Sequence, residues 1–180
     1  MMRILGIDPG YATVGWGVLE FDNMRFGVVK YGAITTSPET PFEKRLAEIY
    51  DDMCVVLDKF RPDCMSIEKL FFNSNITTGI DVAHARGVIM LSAVQHNVKI
   101  YEYTPLQVKV AVTGYGYAEK HQVQEMVKNI LRLKAGPKPD DTADALALAI
   151  CHGHTGGSRL SEIMRGNEVT QLNKPRGNNV

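Results

Sequence analysis

Cysteine is scarce and scattered in this chain: Cys54, Cys64 and Cys151 are odd in number and far apart, which argues against a disulfide framework and fits reduced thiols. Missing too is any uninterrupted apolar run approaching the ~20 residues that a membrane-spanning helix needs, so no membrane partner is expected. Met1-Met2-Arg3 runs straight into the strand-like Ile4-Leu5-Gly6-Ile7 and leaves no room for the apolar centre of a signal peptide; a cytoplasmic protein is expected. Net charge is absent: 20 Lys plus Arg balance 20 Asp plus Glu, so total charge points to no polyanionic partner. There are no internal repeats, and with 180 residues the chain fits one α/β domain that buries about 70% of its unfolded surface.

Charge is distributed unevenly. Between Pro105 and Lys138 six cations (Lys109, Lys120, Lys128, Arg132, Lys134, Lys138) face two acids, Glu119 and Glu125. Between Glu39 and Glu68 eight acids face four cations. A solvated helix face explains each cluster as well as a binding surface does; the basic one becomes a phosphate-binding candidate because it leads into Asp141.

Apolar periodicity predicts strands first, then alternating helices and strands. Ile4 to Ile7, Thr13 to Leu19 and Phe26 to Ile34 form an antiparallel meander, and the glycines of the second strand suggest close packing. Thr40-Pro41-Phe42-Glu43 combines an N-cap Thr, a first-turn Pro and a Glu three residues on, and Leu46, Ile49, Met53, Val56 and Phe60 continue at helical spacing. Cys64 to Glu68 is a short strand, Thr78 to Gln95 a helix, and Val98 to Tyr103 a fifth strand. Thr104 with Gln107 makes a capping box; a glycine-tyrosine turn at Gly114 to Tyr117 leads to a helix over Glu119 to Leu133. The last helix is expected over Ala143 to Cys151, capped by Asp140 or Asp141. Cys151-His152-Gly153-His154 groups possible zinc ligands, but these residues are expected to close that helix, with Gly153 beyond its end. From Thr155 the sequence turns polar and Gly/Asn-rich, so residues 1–155 are expected as the domain and 156–180 as a flexible tail. The element order suggests a mixed α/β sheet with helices on both faces.

Four acids carry the functional argument. Asp8 lies in Gly6-Ile7-Asp8-Pro9-Gly10, Glu68 ends Ser66-Ile67-Glu68, and Asp141 and Asp144 share one face of the last helix. Each alone has an ordinary explanation: a turn acid, a salt-bridged strand end, an acidic first helical turn. Together they need a cation to collect them, and the natural collector is Mg²⁺, a hard ion that takes oxygen ligands and works on phosphate esters. If strands one and four run parallel side by side, Asp8 and Glu68 emerge at one sheet edge, and the last helix must start beside it.

As a set, Gly6-Ile7-Asp8-Pro9-Gly10, Ile67-Glu68 with Phe71-Phe72, Ala85-Arg86-Gly87-Val88, Gln107-Val108-Lys109, Ala118-Glu119-Lys120 and Asp141-Thr142-Ala143-Asp144-Ala145-Leu146-Ala147 resemble the motifs of the crossover junction endodeoxyribonuclease RuvC family. The likeness covers roughly residues 2 to 155. It implies an RNase H-like fold with a five-stranded mixed sheet, a homodimer, and paired symmetric nicks across a Holliday junction in recombination and repair. It also implies cooperation with the RuvA–RuvB branch-migration complex. Asp8, Glu68, Asp141 and Asp144 match the catalytic carboxylates; Lys120 matches a basic residue of catalysis and DNA binding, and Lys109 a DNA-binding one. Phe71 matches an aromatic that stacks on an unpaired base, and DNA contact is also expected of Phe72 and Arg86. Two Mg²⁺ ions per site, with Mn²⁺ able to substitute, would lie about 4 Å apart and generate 5′-phosphate and 3′-hydroxyl ends.

Neighbours in an extended segment face opposite ways, so one of Phe71 and Phe72 is expected to be exposed. Ala83 and Gly87 are small and four apart, which lets a second helix approach and suggests a two-fold dimer; packing on the chain's own sheet is the other explanation. Two further function classes stay open. An actin-like phosphotransferase would need a second lobe, which this length does not supply. A non-catalytic junction-binding protein would have no use for the carboxylates.

Overall fold

The computed structural model describes residues 1–70 and 76–156. Five strands and five helices follow one another along it, three strands first and three helices last: β1 (Met2–Asp8), β2 (Thr13–Asp22), β3 (Arg25–Thr35), α1 (Phe42–Phe60), β4 (Cys64–Glu68), α2 (Ile76–Gln95), β5 (Lys99–Tyr103), α3 (Pro105–Thr113), α4 (Lys120–Ile130) and α5 (Asp140–Gly156). The sheet order is β3-β2-β1-β4-β5. β1, β2 and β3 pair antiparallel, whereas β4 joins β1, and β5 joins β4, in parallel. This is the expected RNase H-like arrangement. Among the described residues no helix is long and apolar enough to cross a membrane.

Side chains alternate across the central strand and feed two cores. Ile4 and Cys64 face α3, α4 and α5, while Leu5, Ile7, Met65 and Ile67 face α1 and α2. Leu5, Ile7, Met65 and Ile67 are fully buried, and each such side chain contributes roughly 1.5–3 kcal/mol of burial energy. Helices therefore cover both faces, as the element order predicts.

On the face under α5 the strands carry glycine where a side chain would collide. A Cβ on Gly6 would lie 1.9 Å from the Ala145 carbonyl oxygen, one on Gly15 2.1 Å from that of Asp141, and one on Gly17 2.5 Å from Leu146 Cδ2. Gly17 is the register partner of Gly6, and Gly15 that of Asp8, so the three form a trough in which α5 lies. The Ser66 hydroxyl donates to the Leu148 carbonyl at 2.7 Å and ties α5 to β4.

Three local expectations need correction. α1 is capped by Pro41, with no side-chain cap; the Thr40 N–H turns back to the Ser37 carbonyl at 3.1 Å, so Thr40 belongs to the preceding turn. α5 does not end at Cys151 but continues to Gly156. Its glycines are packing sites: a Cβ on Gly153 would meet Phe26 at 2.4 Å, and one on Gly156 would meet the His152 ring at 2.4 Å. His152 is buried against Tyr103, whose hydroxyl lies 2.7 Å from Nδ1, while His154 is exposed, so the two do not form a zinc set. α4 is shorter than expected, with Glu119 as its N-cap and Gln122 completing a capping box. Residues 157–180, most of the expected tail, lie outside the described residues.

Candidate active site

Register and alternation bring the acids together. Ile7 pairs with Ile67 in the parallel β1–β4 ladder, so Asp8 and Glu68 follow side by side at the carboxyl edge of the sheet. Asp8 continues the face of Ile4 and Gly6, and Glu68 that of Cys64 and Ser66; both side chains thus emerge on the side covered by α5. The glycine trough sets the first turns of α5 beside them, and the Thr142 hydroxyl donates to the Gly32 carbonyl at 3.3 Å.

Carboxylate oxygens of Asp8, Asp141 and Asp144 all lie within 4.8 Å of one another; Glu68 is outside this group but close enough to interact with Asp8 and Asp144. Burial, then the charges of Asp144, Glu68 and Asp141, push the Asp8 carboxyl up to about 7. Glu68 is raised by burial and by Asp144; Asp144 is raised by burial, against the opposing pull of Lys120. Like charges held this close in partial burial are unfavourable unless positive charge joins them. Part of it comes from Lys120, whose Nζ lies 3.0 Å from Asp144 Oδ2. The donor set is all oxygen, hard and anionic, and fits a divalent cation such as Mg²⁺ rather than a soft metal.

A cleft of about 230 Å³ runs from the carboxylates between α3 and α4, lined by Glu68, Asp144, Lys120, Lys109, Pro105 and Val108 among others. Both sequence-predicted lysines thus reach the site. Arg86, expected to contact DNA, has partners within the chain. Its side chain is only 14% exposed, its Nε donates to the Glu68 carbonyl at 3.1 Å, and its guanidinium pairs with Glu102. It braces the strand end that carries Glu68. Phe71 and Phe72 lie outside the described residues.

Ala83 and Gly87 sit away from the acids, on the outer side of α2. Ala85, Ile89 and Ala93 of α2 are fully buried in the core against the sheet. A Cβ on Gly87 would meet nothing within 4 Å, so Gly87 is not explained by packing on its own sheet. Ala83, Gly87, Ile80, Val88, Leu91 and Leu46 of α1 line an open apolar groove.

Sequence reasoning missed the Arg86 brace and the Glu119 cap that starts α4 at Lys120. Arg86 stood in a motif, but nothing local identified its acceptors, the Glu68 carbonyl and the Glu102 carboxylate. Glu119-x-x-Gln122 has capping-box spacing, but Glu is not a favoured N-cap residue.

Comparison with known proteins agrees with this geometry. The family model described as crossover junction endodeoxyribonuclease RuvC matches residues 4–152. A crossover junction endodeoxyribonuclease RuvC of Brevibacillus brevis is 57% identical over 151 residues, covering 84% of this chain and 91% of that protein. One of Fusobacterium nucleatum is 47% identical over 178 residues, 99% of this chain and 93% of that protein. The structure of Thermus thermophilus RuvC in complex with Holliday junction substrate superposes with a TM-score of 0.82 at 35% identity, covering 87% of this chain and 95% of that one. The chain belongs to the crossover junction endodeoxyribonuclease RuvC family.

Proposed function

We propose that this protein is a structure-specific endonuclease that resolves Holliday junctions by paired symmetric nicks, leaving 5′-phosphate and 3′-hydroxyl ends. The observation that carries this is the convergence of Asp8, Glu68, Asp141 and Asp144 at one sheet edge beside a lysine-lined cleft. These four carboxylates would hold two Mg²⁺ ions, which when bound acidify the attacking water and stabilise the departing 3′ oxygen. Lys120, held by Asp144, faces the cleft where it can neutralise charge on the phosphate, and Lys109 on the wall binds the strand. Phe71, with Phe72 beside it, is the ring proposed to stack on a base opened at the crossover, on the strength of the family resemblance. The same resemblance supports cooperation with RuvA–RuvB and a cytoplasmic enzyme.

The deciding experiment incubates the purified protein and Mg²⁺ with a synthetic four-way junction. Nicked duplexes that a ligase reseals are expected. Tight binding without cutting in any divalent metal would favour the non-catalytic junction-binding alternative. Cleavage is expected in Mg²⁺ or Mn²⁺ and not in Ca²⁺, which is larger and more loosely coordinated; full activity in excess EDTA would remove the metal from the mechanism.

Resolution requires two symmetric cuts, and a two-fold dimer supplies them. Support comes from the apolar outer side of α2, where Ile80, Leu91 and Val94 are exposed around Gly87. Gly87→Leu is expected to shift sedimentation equilibrium at micromolar concentration from dimer to monomer. A wild-type monomer, or a dimer indifferent to this substitution, would remove α2 from the interface.

The glycine trough gives a separate test. Gly15→Ala sets a methyl group against the Asp141 carbonyl, which must move, so a loss of roughly 1–3 kcal/mol in urea unfolding is expected. Cleavage should fall by about tenfold or more, because displaced ligands misalign the reacting atoms. Wild-type stability and rate together would show that α5 does not sit this close to β2.

A further inference from the structure

We propose that Tyr115 and Tyr117, in the connection between α3 and α4, form an aromatic platform on which a nucleobase of the bound DNA stacks at the rim of the cleft. This rests on the junction-cleaving function proposed above. The two residues are 59% and 83% exposed, unusual for side chains with a large apolar body. They pack on each other, with centroids 5.8 Å apart and planes tilted by 54°.

The connection that carries them is built rather than loose. Gly114, with φ 76°, caps α3 in the left-handed region and donates to the Val110 carbonyl at 2.9 Å. Thr113 Oγ1 accepts from the Tyr115 N–H at 3.1 Å, and the Ala118 N–H donates to the Tyr115 carbonyl at 3.2 Å. The chain then doubles back along α3: a Cβ on Gly116 would lie 2.5 Å from Leu106 Cδ1 and 3.4 Å from Val110 Cγ2. This return sets Gly116, between the two tyrosines, against α3, the helix whose Pro105, Val108 and Lys109 line the cleft. Two residues after Tyr117, the Glu119 capping box starts α4 and aims Lys120 at Asp144.

Exposed aromatic rings on a hydrogen-bonded connection, with Lys109 before them in the sequence and Lys120 after, suit a single strand leaving the site. The lysines meet phosphates, whatever the sequence, and the rings meet the face of a base. Charge favours DNA over a protein partner here, since the segment from Pro105 to Lys138 carries six cations against two acids. A tyrosine on a held backbone has few rotatable bonds to freeze on binding, so most of the stacking energy remains as affinity.

The test compares Ala, Leu and Phe at Tyr115 and Tyr117, singly and together, in the full chain. Affinity is measured in Ca²⁺ for a four-way junction and for a single-stranded oligonucleotide, over a range of salt. The double Ala variant is expected to bind both about 10- to 100-fold more weakly, with the wild-type slope of log K against log salt, because no phosphate contact is lost. Phe should retain most of the affinity and Leu should behave like Ala. Affinity within twofold of wild type for the double Ala variant overturns the platform; so does full affinity with Leu, which would mark an apolar contact of another kind. Should a variant be destabilised, Phe and Leu are compared below the melting temperature of both, and equal affinity again overturns the proposal. A wild-type protein that does not prefer the junction to linear DNA would overturn the junction-cleaving function instead, while the ratio of variant to wild type on the oligonucleotide still decides the platform.

Discussion

Asn in place of Asp8, Asp141 or Asp144, or Gln in place of Glu68, is expected to lower junction cleavage by about a thousandfold or more while junction affinity stays level or rises. A thousandfold corresponds to roughly 4 kcal/mol of lost transition-state stabilisation, the scale expected when an anionic metal ligand becomes a neutral amide. Affinity moves the other way because the acids repel the phosphates they are built to cut; removing one negative charge from the cleft relieves that repulsion. The three residues with oxygens within 4.8 Å of one another should show the largest losses, and Glu68, which is outside this group, the smallest of the four. Lys120→Ala should fall between these variants and wild type, since it leaves the ligand set intact and removes a charge at 3.0 Å from Asp144. Single-turnover cleavage and binding titrations on one four-way junction measure both effects. Any single variant that cuts at near wild-type rate carries no metal ligand at that position.

The carboxylates were legible in the sequence because each needed only local context: an acid at the end of an apolar run for Asp8 and Glu68, and an i, i+3 pair for Asp141 and Asp144. Their assembly was legible conditionally, through the requirement that the first and fourth strands run parallel, which the pairing of Ile7 with Ile67 meets. Glycine-rich β2 announced close packing, but not what would pack there; that α5 lies over Gly6, Gly15 and Gly17 depends on contacts between residues more than a hundred positions apart. Long-range partners also account for the misplaced end of α5. Gly153 looked like a terminator because glycine usually is one after a helix, yet here it makes room for Phe26. Arg86 shows the same limit, since a motif position cannot reveal that its guanidinium is spent on the Glu68 carbonyl and Glu102. Thr40 and Pro41 show a smaller one: the right residues for a cap, one position out of step.

Asp8→Asn is expected to stabilise the metal-free protein at neutral and alkaline pH, even as it abolishes cutting. The Asp8 carboxyl titrates at about 7 in the folded chain against 3.8 as the ordinary value, burial being the first cause and the Asp144, Glu68 and Asp141 charges the next. Between those values the folded state holds a proton that the unfolded state has released, so the stability of the wild-type protein falls as pH rises from about 4 to about 7 and levels off above. Glu68 and Asp144 are raised as well and act in the same direction. An amide at position 8 has no charge to desolvate, which removes a cost on the order of a few kcal/mol above pH 7 and none below pH 4. For a chain of this size that is a rise in melting temperature on the order of 5–10 °C at pH 8 in EDTA. Mg²⁺ should close the gap from the other side, because it binds the folded wild-type site and stabilises it by mass action, while the variant has lost a ligand. Thermal melts of both proteins from pH 4 to 8, with EDTA and with Mg²⁺, give the four curves needed. A wild-type curve that is flat in EDTA, with no gain from Asp8→Asn at pH 8, would show that the four acids are not held under mutual repulsion and that the site does not store the electrostatic strain a bound cation relieves.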